Sequence, residues 1–193
     1  MHFQDENPQT RRFASGPPRG SLDPWGGPAG PDEQELIDRI ALALMQRRER
    51  MGTAESCTGG LIAAACTSLS GSSQWFDRGV VTYSNESKTE LLGVPAALIE
   101  LNGAVSGEVA AHMARGLLAH APIDWALAVT GIAGPTGGSE NKPVGTVWLA
   151  LLHAGEPVKV WRELFPGDRH EVRIATLRAG LMALCEALED KAS

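Results

Sequence analysis

The chain has 193 residues and a net charge of −6 at neutral pH. That length bounds one domain with a sizeable core, and the acidic balance argues against a general nucleic-acid or membrane-surface binder, since either needs a basic face. The three cysteines, Cys57, Cys66 and Cys185, show no paired or CxxC spacing, so they supply no disulfide or zinc framework and fit thiols in a reducing cytosol. Residues 1–31 contain five glycines and six prolines, too little apolar content for too much chain entropy, and are expected to be a disordered tail ahead of a single domain over 32–193. No apolar run approaches the ~20 residues of a membrane span, and the N-terminus lacks the apolar core of a signal peptide, so a cytoplasmic protein is expected.

From Pro31 the pattern turns helical. Asp32, Glu33 and Glu35 lead, Leu36, Ile37, Ile40 and Leu44 follow at helical spacing, and Arg47, Arg48 and Arg50 close a segment whose charges suit the helix dipole at both ends. Gly52 is expected to stop it. A short strand from about Thr53 then leads through Glu55-Ser56-Cys57-Thr58-Gly59-Gly60 into a small-residue helix from Leu61 to Leu69. Gly79 to Ser84 reads as a second strand, Glu86 to Leu92 as a short helix, and Ser106 to His120 as a helix capped by Ser106. Trp125 to Thr130 is an apolar strand ending in a glycine loop. Val144 to His153 and Pro157 to Leu164 read as a strand pair, and Asp168 to Glu189 as a closing helix. Alternating strands and helices predict a layered α/β domain, and the late strand pair predicts a mixed sheet.

Ser56, at the entry to a helix, sits where unpaired N–H groups and a partial positive charge stabilise an oxygen that becomes an anion; capping the helix is the plainer role for the same hydroxyl. A serine nucleophile needs a base. His2 lies in the tail, and His112, His120, His153 and His170 fall outside the turns that follow the strands, with no pair at metal-ligand spacing. Lys88 is the alternative. Its ordinary pKa of about 10.4 leaves only about one molecule in 2,500 neutral at pH 7, so burial and the positive helix end must lower it; otherwise it is one charge of a solvated helix face beside Glu86 or Glu90. Tyr83 offers a phenol beside the lysine, or a core aromatic. GxSxG fails at Ala54, Ser-x-x-Lys fails at the Ser84 and Ser87 spacings to Lys88, and neither GxxxxGK[ST] nor GxGxxG is present.

Several separate stretches occur in one order: Ala54-Glu55-Ser56-Cys57-Thr58-Gly59-Gly60, Thr82-Tyr83-Ser84-Asn85-Glu86-Ser87-Lys88, Ala128-Val129-Thr130-Gly131-Ile132-Ala133-Gly134-Pro135, Lys142-Pro143-Val144-Gly145-Thr146-Val147-Trp148 and Gly167-Asp168-Arg169-His170-Glu171-Val172-Arg173. Through them the chain resembles the CinA C-terminal domain family from Asp32 to about Leu188, a family whose stand-alone members include nicotinamide mononucleotide amidohydrolases. The resemblance implies a three-layer α/β/α sandwich with a mixed, mostly parallel sheet and a site near the strand ends. It implies Ser56 as nucleophile, Lys88 as general base and Tyr83 as a hydroxyl that positions or relays the proton. Thr130 and Gly131 become an oxyanion or carboxamide clamp, although glycines after strands also serve merely as turns. Arg169 and Arg173, with the amides at the start of the last helix, are candidates for a phosphate, pairing with Asp168 or Glu171 being the structural alternative; Thr58, Gly59 and Gly60 form an equally good cradle. The implied reaction turns nicotinamide mononucleotide into nicotinate mononucleotide and ammonia with no cofactor and no metal. The expected partner is a small nucleotide, in a homo-oligomer without nucleic acid or membrane. A non-catalytic pyridine-nucleotide-binding module and an amidase for another small amide stay open beside it.

Overall fold

A computed structural model of the protein describes residues 31–191. Its elements are α1 (Pro31–Arg47), β1 (Met51–Glu55), α2 (Leu61–Ser68), β2 (Phe76–Val81), α3 (Asn85–Leu92), α4 (Ala96–Asn102), α5 (Gly107–His120), β3 (Trp125–Gly131), β4 (Thr146–His153), β5 (Lys159–Leu164) and α6 (Arg169–Asp190). The tail expected over 1–31 lies outside the described residues apart from Pro31, which opens α1.

The strand order is β2-β1-β3-β4-β5. β1 pairs in parallel with β2 and β3, and β4 runs antiparallel to β3 and β5, so four of the five strands point the same way. Period-2 alternation sorts each buried strand onto two faces. Trp125, Leu127, Val129, Leu149 and Leu151 meet α1, α2 and α6 in one core; Ala54, Ala126, Ala128, Ala150 and Leu152 meet Leu92, Ile99, Val109 and Met113 of α3, α4 and α5 in the other. The result is the three-layer sandwich.

This order places the C-terminal ends of β2, β1 and β3 side by side. The chain leaves β1 for α2 on one face and leaves β2 for α3–α5 on the other, which makes β1 the switch point where an open α/β sheet presents a crevice.

Two local expectations are corrected. Gly52 does not stop α1: the helix ends at Arg47, Arg48 takes a left-handed conformation (φ 58°), and Glu49 N–H returns to Leu44 O at 3.0 Å. Gly52 lies inside β1, where a Cβ would stand 3.0 Å from Arg78 O and 3.2 Å from Ile123 Cδ1. The second strand begins earlier than Gly79, at Phe76, and α4 is an unexpected helix, its seven residues too short to show apolar periodicity between Pro95 and Gly103.

The alanine-lined face draws its helices close. A Cβ on Gly116 of α5 would lie 1.9 Å from Leu92 O, so the end of α3 rests directly on the α5 backbone. Gly to Ala inside a helix ordinarily stabilises by about 1 kcal/mol. Gly116→Ala should instead destabilise by about 3 kcal/mol in urea unfolding, because the methyl meets backbone rather than a side chain that can swing aside.

Candidate active site

β1 ends in Glu55, which is fully buried. Its carboxylate accepts hydrogen bonds from Thr53 Oγ1 (3.0 Å), Thr58 Oγ1 (2.7 Å) and the N–H groups of Gly60, Ile62 and Ala63 (3.0, 3.1 and 2.8 Å). The amides at the start of α2 are thus satisfied by the chain's own anion, placed where the helix dipole favours it. Gly59 and Gly60, at φ 61° and 93°, let the intervening loop turn tightly enough for one carboxylate to reach all of them.

Ser56 follows immediately and is 8% exposed. Its N–H donates to Val129 O (3.0 Å) and its carbonyl accepts from Gly59 N–H (3.1 Å), so strand and loop both hold its backbone. The N-cap of α2 is Gly60, without a side-chain cap, which leaves the Ser56 hydroxyl free of the capping role.

Lys88 comes from the opposite layer. α3 is capped by Ser84, whose Oγ accepts from Ser87 N–H, and Lys88 one turn on is 1% exposed. Its Nζ lies 3.1 Å from Ser56 Oγ, 2.7 Å from Thr82 O and 3.4 Å from Ser84 O. Among the described residues no carboxylate forms an ion pair with it. Burial lowers its pKa from the ordinary lysine value, partly opposed by the Glu86 carboxylate. The solvated-face alternative is therefore excluded by position.

Ser56 and Lys88 open into a cavity of ≈ 180 Å³ that Tyr83, Asn85, Ala104, Val105, Thr130, Gly131 and Arg169 also line. Thr130 is fully buried and its hydroxyl donates to Ala104 O (2.9 Å), so its side chain braces the α4–α5 turn. A Cβ at Gly131 would stand 2.7 Å from Val147 Cγ2 and 2.8 Å from Thr146 O. Ile132 N–H bonds Thr146 O, and Gly131, opposite Val147, therefore turns its own N–H away from β4 toward the side on which Ser56 sits.

Tyr83 is 61% exposed, and its hydroxyl accepts from Arg169 Nη2 (3.0 Å), while Arg169 Nη1 donates to Gly134 O (3.0 Å). Arg169 also lines a larger adjoining hollow of ≈ 620 Å³ with Pro135, Val144, Asp168, His170 and Arg173. Arg173 Nη2 reaches Thr58 O (2.7 Å) and ties α6 to the serine loop.

Of the anticipated residues, Ser56, Lys88, Tyr83, Thr130, Gly131 and Arg169 line one cavity. Thr58, Gly59 and Gly60 do not form the anticipated anion cradle, because Glu55 occupies it and Gly59 N–H is bonded to Ser56 O. The amides opening α6 are likewise taken, His170 and Glu171 N–H by the Asp168 carboxylate (2.8 and 2.9 Å) in a capping box with Glu171. Glu55 and Asn85 were not singled out from the sequence, and His170, set aside there as lying outside the turns after the strands, lines the larger hollow. Glu55 alone carried a usable signal, as an acidic residue closing an apolar strand before a helix start.

The model of the CinA C-terminal domain matches residues 33–188. The chain belongs to this family. Among CinA relatives, a protein named nicotinamide-nucleotide amidohydrolase PncC from Shigella flexneri is 50% identical over 139 residues, 72% of this chain and 84% of that protein. PncC of Escherichia coli K12 is 49% identical with the same coverage. A CinA-like protein of Geotalea daltonii is 54% identical over 78% of this chain but only 36% of its own length, so the chain spans about a third of such longer relatives. The crystal structure of a competence/damage inducible protein from Agrobacterium tumefaciens superposes with a TM-score of 0.80 at 44% identity, over 83% of this chain and 97% of that one. A CinA superfamily protein from Klebsiella pneumoniae gives 0.78 at 40% identity, over 82% and 98%.

Two outcomes test this geometry. Glu55→Gln places an amide NH₂ among five donors, and should lower the unfolding free energy by about 3 kcal/mol in chemical denaturation. Cys57 borders the cavity, but burial pushes its thiol up to about 12. It should therefore resist iodoacetamide at pH 8 in the native protein and react only on unfolding, as followed by mass spectrometry.

Proposed function

We propose that this protein hydrolyses the carboxamide of nicotinamide mononucleotide to nicotinate mononucleotide and ammonia, with Ser56 as nucleophile and Lys88 as its base. The observation that carries the mechanism is the 3.1 Å contact between Lys88 Nζ and Ser56 Oγ inside a desolvated site. The substrate follows from the PncC relatives at about half identity.

Lys88 has partners in either protonation state. The neutral amine donates its two hydrogens to Thr82 O and Ser84 O and turns its lone pair to the Ser56 hydroxyl; the ammonium donates to all three oxygens. A proton can therefore move from Ser56 to Lys88 without stranding a buried donor or acceptor. Ser56 Oγ attacks the amide carbon, and the carbonyl oxygen becomes an oxyanion facing the Gly131 N–H. The tetrahedral intermediate collapses as Lys88 returns the proton to the departing nitrogen, which releases ammonia and leaves an acyl-serine. Water, deprotonated by the neutral Lys88, attacks that ester, and Ser56 leaves with the proton Lys88 holds.

The smaller cavity takes the carboxamide-bearing ring, and the ribose phosphate extends past Arg169 into the hollow beside His170 and Arg173, where guanidinium groups complement a dianion. Tyr83 acts through Arg169 in this arrangement, holding the guanidinium between the two spaces. We place the enzyme in the cytoplasm, where its three free, buried thiols suit a reducing compartment.

Ammonia and nicotinate mononucleotide release from nicotinamide mononucleotide is the deciding assay, with nicotinamide and its riboside as comparison substrates. Ser56→Ala and Lys88→Met should each lower kcat by at least ~10³-fold while folding normally. Tight binding by wild type without turnover would overturn the enzymatic reading. For wild type, kcat/KM should fall as pH drops through the folded pKa of Lys88, since the base form is the neutral one. Because burial lowers that pKa, the rise with pH should level off below the ~10.4 of an ordinary lysine.

A further inference from the structure

In the segment Lys142-Pro143-Val144-Gly145, which follows a glycine-rich loop, Val144 borders the larger hollow, but nothing in the reaction above uses Lys142. Lys142 belongs to the β3–β4 connection, yet its ammonium sits on another element. Nζ donates to Asn102 O (2.9 Å) and Val105 O (2.8 Å), the carbonyls on either side of the α4–α5 turn. Among the described residues no carboxylate forms an ion pair with it, so backbone oxygens hold this cation.

That turn walls the serine cavity through Ala104 and Val105. Residues 102–105 are only half-buried, with Ala104 alone of the four packed against the core, so polar bonds supplement thin apolar packing in setting where the turn lies. Thr130 Oγ1 holds the intervening Ala104 O, and Ser106 Oγ donates to Gly103 O (2.9 Å). Gly103 fits the ammonium in two ways. Its backbone, at φ 77° and ψ 154°, lies in a region nearly confined to glycine, and a Cβ there would stand 3.2 Å from Lys142 Nζ. The lysine itself is aimed by a local turn, with Lys142 N–H donating to Ser139 Oγ (3.2 Å) and Ser139 N–H to Lys142 O (2.9 Å).

We propose that Lys142 is a positioning residue, whose ammonium ties the β3–β4 loop to the α4–α5 turn and so holds Ala104 and Val105 against the substrate ring. The tether is a property of the protein alone; its effect on turnover rests on the amidohydrolase reading. Lys142→Met keeps the length of the side chain and removes both bonds, whereas Lys142→Arg keeps a donor and the charge.

Hydrogen exchange and steady-state kinetics on the full chain test it together. In Lys142→Met, backbone amides of residues 102–106 should exchange at least tenfold faster while β1 and β3 keep wild-type protection. KM for nicotinamide mononucleotide should rise at least tenfold with kcat within threefold, KM for the riboside should rise in parallel, and Lys142→Arg should recover most of both effects. Unchanged exchange over 102–106, or faster exchange throughout the protein with normal kinetics, would overturn the proposal. So would a KM increase confined to the phosphorylated substrate, which marks Lys142 as a charge that attracts the anion. If wild type itself releases no ammonia, the amidohydrolase reading fails, and the tether stands or falls on the exchange of residues 102–106.

Discussion

A carboxylate with no access to water sits at the junction of β1 and α2, and burying it without partners would cost several kcal/mol. Glu55 avoids that cost by taking two hydroxyls and three amides, among them the groups that a helix start leaves unpaired. The exchange also fixes geometry. Once the carboxylate sets where α2 begins, the loop 56–60 has a single path, and Ser56 emerges at its head with its backbone bonded to β3 on one side and to Gly59 on the other. The nucleophile therefore stands on a scaffold organised by its neighbour in the chain.

The second half of the site arrives from the other layer by close packing. β1 and β2 are adjacent and parallel, so the chain leaving β2 passes the end of β1, and α3 starts beside Ser56. The position of α3 is then set by contact of Leu92 O with the α5 backbone at Gly116. A lysine carried on that helix is only 1% exposed and meets solvent only where it borders the serine cavity. Its nitrogen finds two carbonyls and one hydroxyl, an environment that serves both the amine and the ammonium, while desolvation favours the amine. Burial thus supplies at once the proximity and the depressed pKa that a lysine base needs.

Cations are used throughout as ties between loops. Arg169 bridges Tyr83 and Gly134, Arg173 reaches Thr58 O, and Lys142 spans Asn102 and Val105. Each joins a segment that lines the cavity to an element far away in sequence. A site built from the ends of three strands and the turns between them is held at its rim by charge-assisted bonds to carbonyls, where too little apolar surface is available to do so.

Local sequence determined much of this protein. Ser106 marked a helix start because a short polar side chain ahead of an apolar periodic segment satisfies free amides, and the closing helix was read from Asp168; both residues are caps in the structure. β3 was legible as an apolar strand and β4 as one of a strand pair, while a site near the strand ends was implied by the family resemblance. The limits are also specific. Gly52 looked like a helix stop because glycine breaks helices, but whether it ends one or admits a close neighbour depends on Arg78 and Ile123, which the chain brings up only on folding. Thr58-Gly59-Gly60 looked like a cradle for a substrate anion, but Thr58 and Gly60 hold the chain's own Glu55 carboxylate and Gly59 N–H is bonded to Ser56 O. Whether Lys88 is a surface charge or a buried base could not follow from its neighbours in sequence, because a lysine's pKa is set by what excludes water from it. Only the tertiary structure, by placing α3 over the end of β1 with Thr82, Ser84 and Ser56 around one nitrogen, decided that.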